Sequence, residues 1–352
     1  MAAAAGAAYD AGMPGVGRRS GTGMQAPAAR RRRWPLVLGV AVLVLFGLAE
    51  PAQAWGPTVH VWIADAILKA FALSVPVVAE LLRRHPHAFV YGNLAPDFFV
   101  GKGSGGHDEH CHNWEVGQRV LELAGTDAER AFALGYLSHL AADVIGHNHF
   151  VPNYLYRSFG LRKLGHAYWE MHADNLLAES YAHCAARLIA DEEQHRHDAL
   201  LVKAVGKGPV PLWARKSLFA AYLRLNVHHR TRRLMRRVRP YSEHSLRHDD
   251  IWLQMDVSLA LSASAVADPR VPRLLAYDPV GAENIRIAKK LRRRSRRARS
   301  FSKGDVPFPI PQPLLEHLAL LEPVARAVPL PDPPPDGGGA AAGGAPAETA
   351  AG

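Results

Sequence analysis

The 352-residue sequence holds only two cysteines, Cys111 and Cys184, which excludes a small disulfide-stapled scaffold. One bridge between them outside the cytoplasm stays open, because two cysteines carry no geometry. Strand-like alternation is lacking throughout. No G-x-S-x-G surrounds a candidate serine, and there is neither a P-loop nor a dinucleotide fingerprint, so those nucleophile and phosphate-binding solutions have no motif here. The longest apolar run, Trp34 to Leu48, is about fifteen residues, short of the roughly 20 that a spanning helix needs. Histidine is absent from the first 54 residues, although the chain has nineteen. An apolar fraction of 48% over this length allows one large or two ordinary domains with a real core, which excludes wholesale disorder.

The first 54 residues form a separate unit. An Ala/Gly-rich stretch leads to Arg30 through Arg33, the apolar run, and Ala52-Gln53-Ala54. A basic region, an apolar region and an A-x-A end make a secretory signal, with an uncleaved, membrane-anchoring signal as the alternative. Cleavage after Ala54 leaves Trp55 with a free α-amine. The net charge of +10 falls to +6 once this segment, with six Arg and two acids, is set aside. At the other end, residues 326 to 352 are Pro, Gly and Ala with little to bury, which predicts a disordered tail.

Between these ends, residues 55–325 read as one all-α, multi-helix domain. Apolar residues at three- and four-residue spacing predict helices over 61–73, 76–84, 115–124, 128–146, 176–190, 212–225, 251–267 and 283–299. Thr126 with Glu129 is a capping box, Pro76 suits a first helical position, and Gly146 before Pro152 supplies a stop.

The histidines concentrate where a metal site can be built. Candidate ligands along the chain are Trp55, His60, Asp97, the cluster His107, His110 and His112, then His139, Asp143, His147, His149, His166, Glu170 and His172. His139 and Asp143 lie four apart on one helix face that continues from Phe132 and Tyr136, so the pair points inward. His166 and Glu170 repeat the spacing. Two helices that each offer a His and a carboxylate to an interior are how metal sites in helical bundles are made, and imidazole with carboxylate suits zinc. A bound cation also removes the cost of an inward-facing Asp143, several kcal/mol if left unpaired. His85, His87, His183, His195, His197, His228, His229, His244, His248 and His317 lie beside charged residues and read as surface histidines. Phe98, Phe99, Tyr168 and Trp169 read either as exposed aromatics near the site or as plain core.

The segments WGPTVHVWIADAIL (55–68), GNLAPDFF (92–99), HCHNW (110–114), YLSHLAADVIGHNHF (136–150) and HAYWE (166–170) together resemble the bacterial zinc-dependent phospholipases C. That family shares a helical fold and a three-zinc site with the zinc-dependent single-strand nucleases. HLAADV and the PDFF segment are also similar to the N-terminal part of the glycosylphosphatidylinositol-specific phospholipases D. The resemblance implies three zinc ions. The α-amine and carbonyl oxygen of Trp55, His60 and one oxygen of Asp143 would hold the first. Asp97, His112, His139 and the other oxygen of Asp143 would hold the second, with His110 the rival to His112. His149, His166 and Glu170 would hold the third, leaving His147 outside the ligand set. The expected activity is phosphodiester hydrolysis by water activated at the metals, with Asp97 as the catalytic base.

The four residues between Trp55 and His60 match the nuclease spacing and leave no room for the acidic insertion that reads choline in the best-known phospholipases C. Glu170 and APDFF point the other way, to a phospholipase. Two Arg-rich stretches, 230–239 and 286–299, suit either an anionic membrane surface or nucleic acid. The readings in play are an exported phospholipase C, a single-strand nuclease, a phospholipase D-type enzyme, and a non-catalytic zinc-binding protein.

Overall fold

The computed structural model describes residues 55–70, 75–99, 111–157, 165–206, 210–228, 231, 233, 248–270, 272–298 and 306–321. The predicted signal, the C-terminal tail, His107, His110 and most of the 230–239 stretch lie outside the described residues. All regular elements among the described residues are helical, in agreement with the all-α expectation. In chain order they are α1 (Pro57–Ala70), α2 (Pro76–Arg84), α3 (Pro86–Leu94), a 3₁₀ turn (Ala95–Phe98), α4 (Trp114–Leu123), α5 (Asp127–Ile145), a π-helical turn (Gly146–Phe150) and α6 (Val151–Arg157). There follow α7 (Gly165–Asp174), α8 (Glu179–Ala190), a 3₁₀ segment (Glu192–His197), α9 (Asp198–Val205), α10 (Leu212–Val227), α11 (His248–Ala267), α12 (Pro272–Leu275), α13 (Ala282–Ala298), α14 (Gln312–Leu315) and a last 3₁₀ segment (Glu316–Leu321).

The axis of the molecule is α5. Its start is the predicted capping box: Thr126 Oγ1 accepts from the Glu129 amide at 3.2 Å, and the Glu129 carboxylate returns to the Thr126 amide at 3.0 Å. From Ala131 to Ile145 every residue is buried, because α3, α4 and α11 surround the helix. The closest approach is between α3 and α5, where two glycines face each other's helix. A Cβ on Gly92 would lie 2.0 Å from the Phe132 carbonyl oxygen, and one on Gly135 would lie 2.1 Å from that of Phe89. The two backbones therefore touch, and only glycine fits at either position. On the opposite side, Ser262 Oγ of α11 donates to the Ser138 carbonyl at 2.8 Å.

Several differences from the sequence reading have a physical cause. Helix α3 was not predicted, because Ala88 to Leu94 are all buried and show no polar/apolar period. The first helix starts at Pro57, where proline suits a first turn. Phe98, Phe99 and Trp169 are core residues at 0%, 5% and 2% exposure, which corrects the exposed-aromatic reading. The Tyr168 side chain lies outside the described residues. His197 is also buried, its ring stacked on Phe132 at 5.0 Å and 5°. Cys111 and Cys184 are not bridged. No described helix is long and apolar enough to cross a membrane.

Candidate metal centre

Five predicted residues converge in the core. His60 comes from α1, Asp97 from the 3₁₀ turn after α3, His112 from the segment before α4, and His139 and Asp143 from α5. All five are within 1% of full burial. Asp143 is the hub: its Oδ1 lies 3.4 Å from His60 Nε2, and its Oδ2 lies 3.2 Å from both His112 Nε2 and His139 Nε2. Asp97 Oδ1 stands 3.6 Å from His112 Nε2 and 4.0 Å from His139 Nε2. Two sets of donor atoms, His60 with Asp97 and His139, and His112 with His139 and Asp143, each lie within 4.8 Å of one another.

His147 joins the same cluster. Its Nε2 is 3.4 Å from Asp143 Oδ2, and its ring meets His112 edge to face at 5.9 Å. The i, i+4 spacing from Asp143 was the available signal, although the resemblance leaves His147 outside the ligand set. His149 turns elsewhere, with Nδ1 3.2 Å from the Phe308 carbonyl oxygen. Glu170 is fully buried on α7, the helix that also carries His166, whose side chain lies outside the described residues.

The protonation pattern of the cluster favours a cation. A carbonyl only accepts, so His139 Nδ1, 2.8 Å from the Asn93 oxygen, carries a hydrogen, and Nε2 is the ring nitrogen left to face the cluster. That Nε2 faces His112 Nε2 at 3.1 Å. Two imidazole nitrogens pointed at each other and at a carboxylate are satisfied by a proton or a metal cation between them. Burial alone would raise the Asp143 pKa, but the imidazoles of His139 and His147 outweigh it and hold the carboxyl well below its ordinary range. Burial would lower His139, and the carboxylates of Asp143 and Asp97 raise it instead. His60 is lowered, by burial first and by His139 second, its ring stacked on His139 at 3.8 Å. Neither of its ring nitrogens makes a hydrogen bond of normal geometry. A dense set of buried imidazole and carboxylate donors of this kind fits zinc.

Neighbouring groups hold the donors in place. Asp174 at the end of α7 caps α1, accepting from the amides of Thr58 at 3.3 Å and Val59 at 3.1 Å, which ties the His60 helix to the Glu170 helix. Burial raises Asp174 to about 7, against the pull of its hydrogen bonds from Thr58 and Val59. The Trp55 indole donates to the Ala142 carbonyl at 3.2 Å and to Ser258 Oγ at 3.0 Å, and its ring stacks on Phe150. The Tyr136 hydroxyl donates to the Cys111 carbonyl, which pins the turn bearing His112 against α5. Behind the Asp97 turn, Lys216 pairs with Asp198 at 2.7 Å and lies over the rings of Tyr91 and Phe98, while the Tyr91 hydroxyl donates to the same carboxylate at 2.7 Å. Tyr222, fully buried on α10, has its pKa raised well above the phenol range, by burial first and then by Asp174, Glu170 and Asp97. None of these long-range supports has a local sequence signature.

The family model of zinc-dependent phospholipase C matches residues 59–208. This segment contains His60, Asp97, His112, His139, Asp143, His149, His166 and Glu170, and it is the family that the motifs resemble. No curated protein and no solved structure matches the chain.

Proposed function

We propose that the chain, with its zinc-dependent phospholipase C segment at residues 59–208, is an exported phosphodiesterase that hydrolyses the glycerol–phosphate ester of phospholipids. The observation that carries this reading is the convergence of His60, Asp97, His112, His139 and Asp143 in one buried cluster. In the proposed assignment, Trp55 by its α-amine and carbonyl oxygen, His60 and Asp143 hold one zinc. Asp97, His112, His139 and Asp143 hold a second, and His149, His166 and Glu170 a third. Zinc held there supplies a nucleophile from water near neutral pH and positive charge against the phosphoryl oxygens.

The protein's own groups do the rest. Asp97, on a short turn backed by Phe98 and the Lys216–Asp198 pair, accepts the proton of the attacking water. Asp143 shares its two oxygens among the imidazole groups, Oδ1 toward His60 and Oδ2 toward His112, His139 and His147. The Asn93 carbonyl holds His139 in one tautomer. The buried Trp55 ring fixes the position at which signal cleavage would release an α-amine, so export would complete the site.

One assay panel tests the reading on zinc-loaded protein: phosphatidylcholine, phosphatidylethanolamine, phosphatidylinositol, and single-stranded DNA and RNA. Diacylglycerol release is the expected result. Phosphatidate would reassign the enzyme to D-type cleavage, nucleotides would make it a nuclease, and no turnover of any substrate would leave a zinc-binding protein. A variant with one additional residue before Trp55 should lose one equivalent of zinc. Unchanged zinc content would remove the α-amine from the site.

A further inference from the structure

Helix α13 is amphipathic and strongly basic. Ile285, Ile287, Ala288 and Leu291 pack into the core, and the helix lies against α6 and the π-helical turn. Asn284 Nδ2 donates to the Asn148 carbonyl at 3.2 Å and to its side-chain oxygen at 3.1 Å, and a Cβ on Gly281 would lie 2.5 Å from the His147 carbonyl oxygen. The helix is thus seated directly on the segment that carries His147 and His149. Its outer side presents Arg286, Lys290, Arg293 and Arg294 to solvent. The single acid of the helix, Glu283, is engaged by Arg286.

Helix α6 and the π-helical turn also border a groove of about 200 Å³, lined by His149 and Tyr154 and by the aliphatic side chains of Leu253, Val306, Ile310 and Leu315. Leu253 and Val306 are 45% and 48% exposed at its edge. The aromatic rings there, Tyr154 and Phe308, are buried. Single-stranded nucleic acid needs exposed rings on which bases stack. Asp250 also lines this groove; its aliphatic edge and the cations of α13, each on an element packed against the segment from Gly146 to Arg157, instead match a bilayer whose surface is anionic and whose interior takes alkyl side chains.

We infer that the outer face of α13 and the Leu253–Val306 edge form a docking surface for an anionic lipid bilayer, which brings the groove at His149 onto the membrane. This deepens the phospholipid reading above and rests on it for the identity of the substrate. The test is flotation of the protein, as recovered from the export compartment, with vesicles of phosphatidylcholine alone or mixed with phosphatidylglycerol. Binding should be tighter to the mixed vesicles and should fall steeply with salt. Each exposed cation near an anionic surface contributes a factor of about five, so the triple variant K290Q/R293Q/R294Q should bind the mixed vesicles roughly a hundredfold more weakly. L253D/V306D should weaken binding to both vesicle types.

The triple variant should hydrolyse a water-soluble short-chain phospholipid at the unaltered rate. Equal vesicle affinity of the unaltered protein and the triple variant overturns the docking surface. So does tighter binding to a single-stranded oligonucleotide than to vesicles at the same salt, lost in the triple variant. If the short-chain substrate is not cleaved while the hundredfold drop is seen, the docking surface stands and the phospholipase reading fails.

Discussion

Substituting Gly135→Ala probes the contact on which the centre depends. The added methyl would stand 2.1 Å from the Phe89 carbonyl oxygen. A carbon and a carbonyl oxygen settle at about 3.3 Å, so α3 and α5 must part by roughly 1.2 Å. The bond from His139 to the Asn93 carbonyl, 2.8 Å long, crosses the same interface. A separation of that size takes it to about 4 Å, beyond hydrogen-bonding reach. Overpacking costs about 1–3 kcal/mol and loss of the buried bond about 1 kcal/mol, while alanine regains about 0.5–1 kcal/mol of helix propensity. The net loss is about 1–3.5 kcal/mol, or roughly 2–14 °C in melting temperature for a domain of this size. A histidine ligand deprived of its orienting acceptor typically binds metal about 10–100-fold more weakly. Thermal melts and zinc competition against a chelator would read both effects. Gly125→Ala is the control, since its Cβ meets only the Glu129 carboxylate, at an ordinary contact distance of 3.6 Å. A Gly135→Ala protein with control-like melting and zinc affinity would refute the backbone contact as the support of His139.

Asp143→Asn should abolish hydrolysis and lower zinc content measured by elemental analysis, because one amide cannot serve the four imidazoles that surround the carboxylate; full activity would exclude Asp143 as the shared ligand. His197 gives a stability profile independent of the metal: burial, aided by Arg196, lowers it to about 4. Its neutral form is the one the fold accepts, so its contribution is complete above pH 6.5 and is lost as pH falls from there toward 4, by about 1–2 kcal/mol at pH 5. Urea titrations at pH 7 and pH 5 should show that loss, and His197→Phe should reduce the difference. Lys216→Met leaves Asp198 with the Tyr91 hydroxyl alone and should cost about 2 kcal/mol in the same titrations; no loss would show that the pair does not brace the Asp97 turn.

How much of this was legible beforehand depends on how local each signal is. The Thr126–Glu129 box and the His139–Asp143 pair are written three and four residues apart, and both occur on α5 as the spacing predicts. Helix α3 carries no such period, because a helix buried on all sides has no polar face. The surface reading of His197 failed because its charged sequence neighbours say nothing about Phe132, on which its ring stacks. The Asp174 cap on α1 and the Lys216–Asp198–Tyr91 clamp join residues 18 to 125 positions apart, which no window along the chain can reveal. His147 lies between these cases. Its spacing from Asp143 is local, but the following turn is π-helical and shifts what comes after it.

That π-helical turn makes the rod tolerant of one change in length and of no other. From Asp127 to Arg157 the chain is one unbroken helical rod with the wider turn set into it at Gly146–Phe150. Five residues in the wider turn sweep about the same angle as four in an ordinary helix, so losing one residue there would restore the ordinary winding and leave Tyr154 and Tyr156 on their present faces. Losing a residue from the ordinary winding of α5 would instead rotate everything downstream by about 100°. The extra residue lets this one turn send His147 to Asp143, Asn148 to α13 and His149 to the Phe308 carbonyl, and its deletion would remove one of those contacts without turning the rest of the rod.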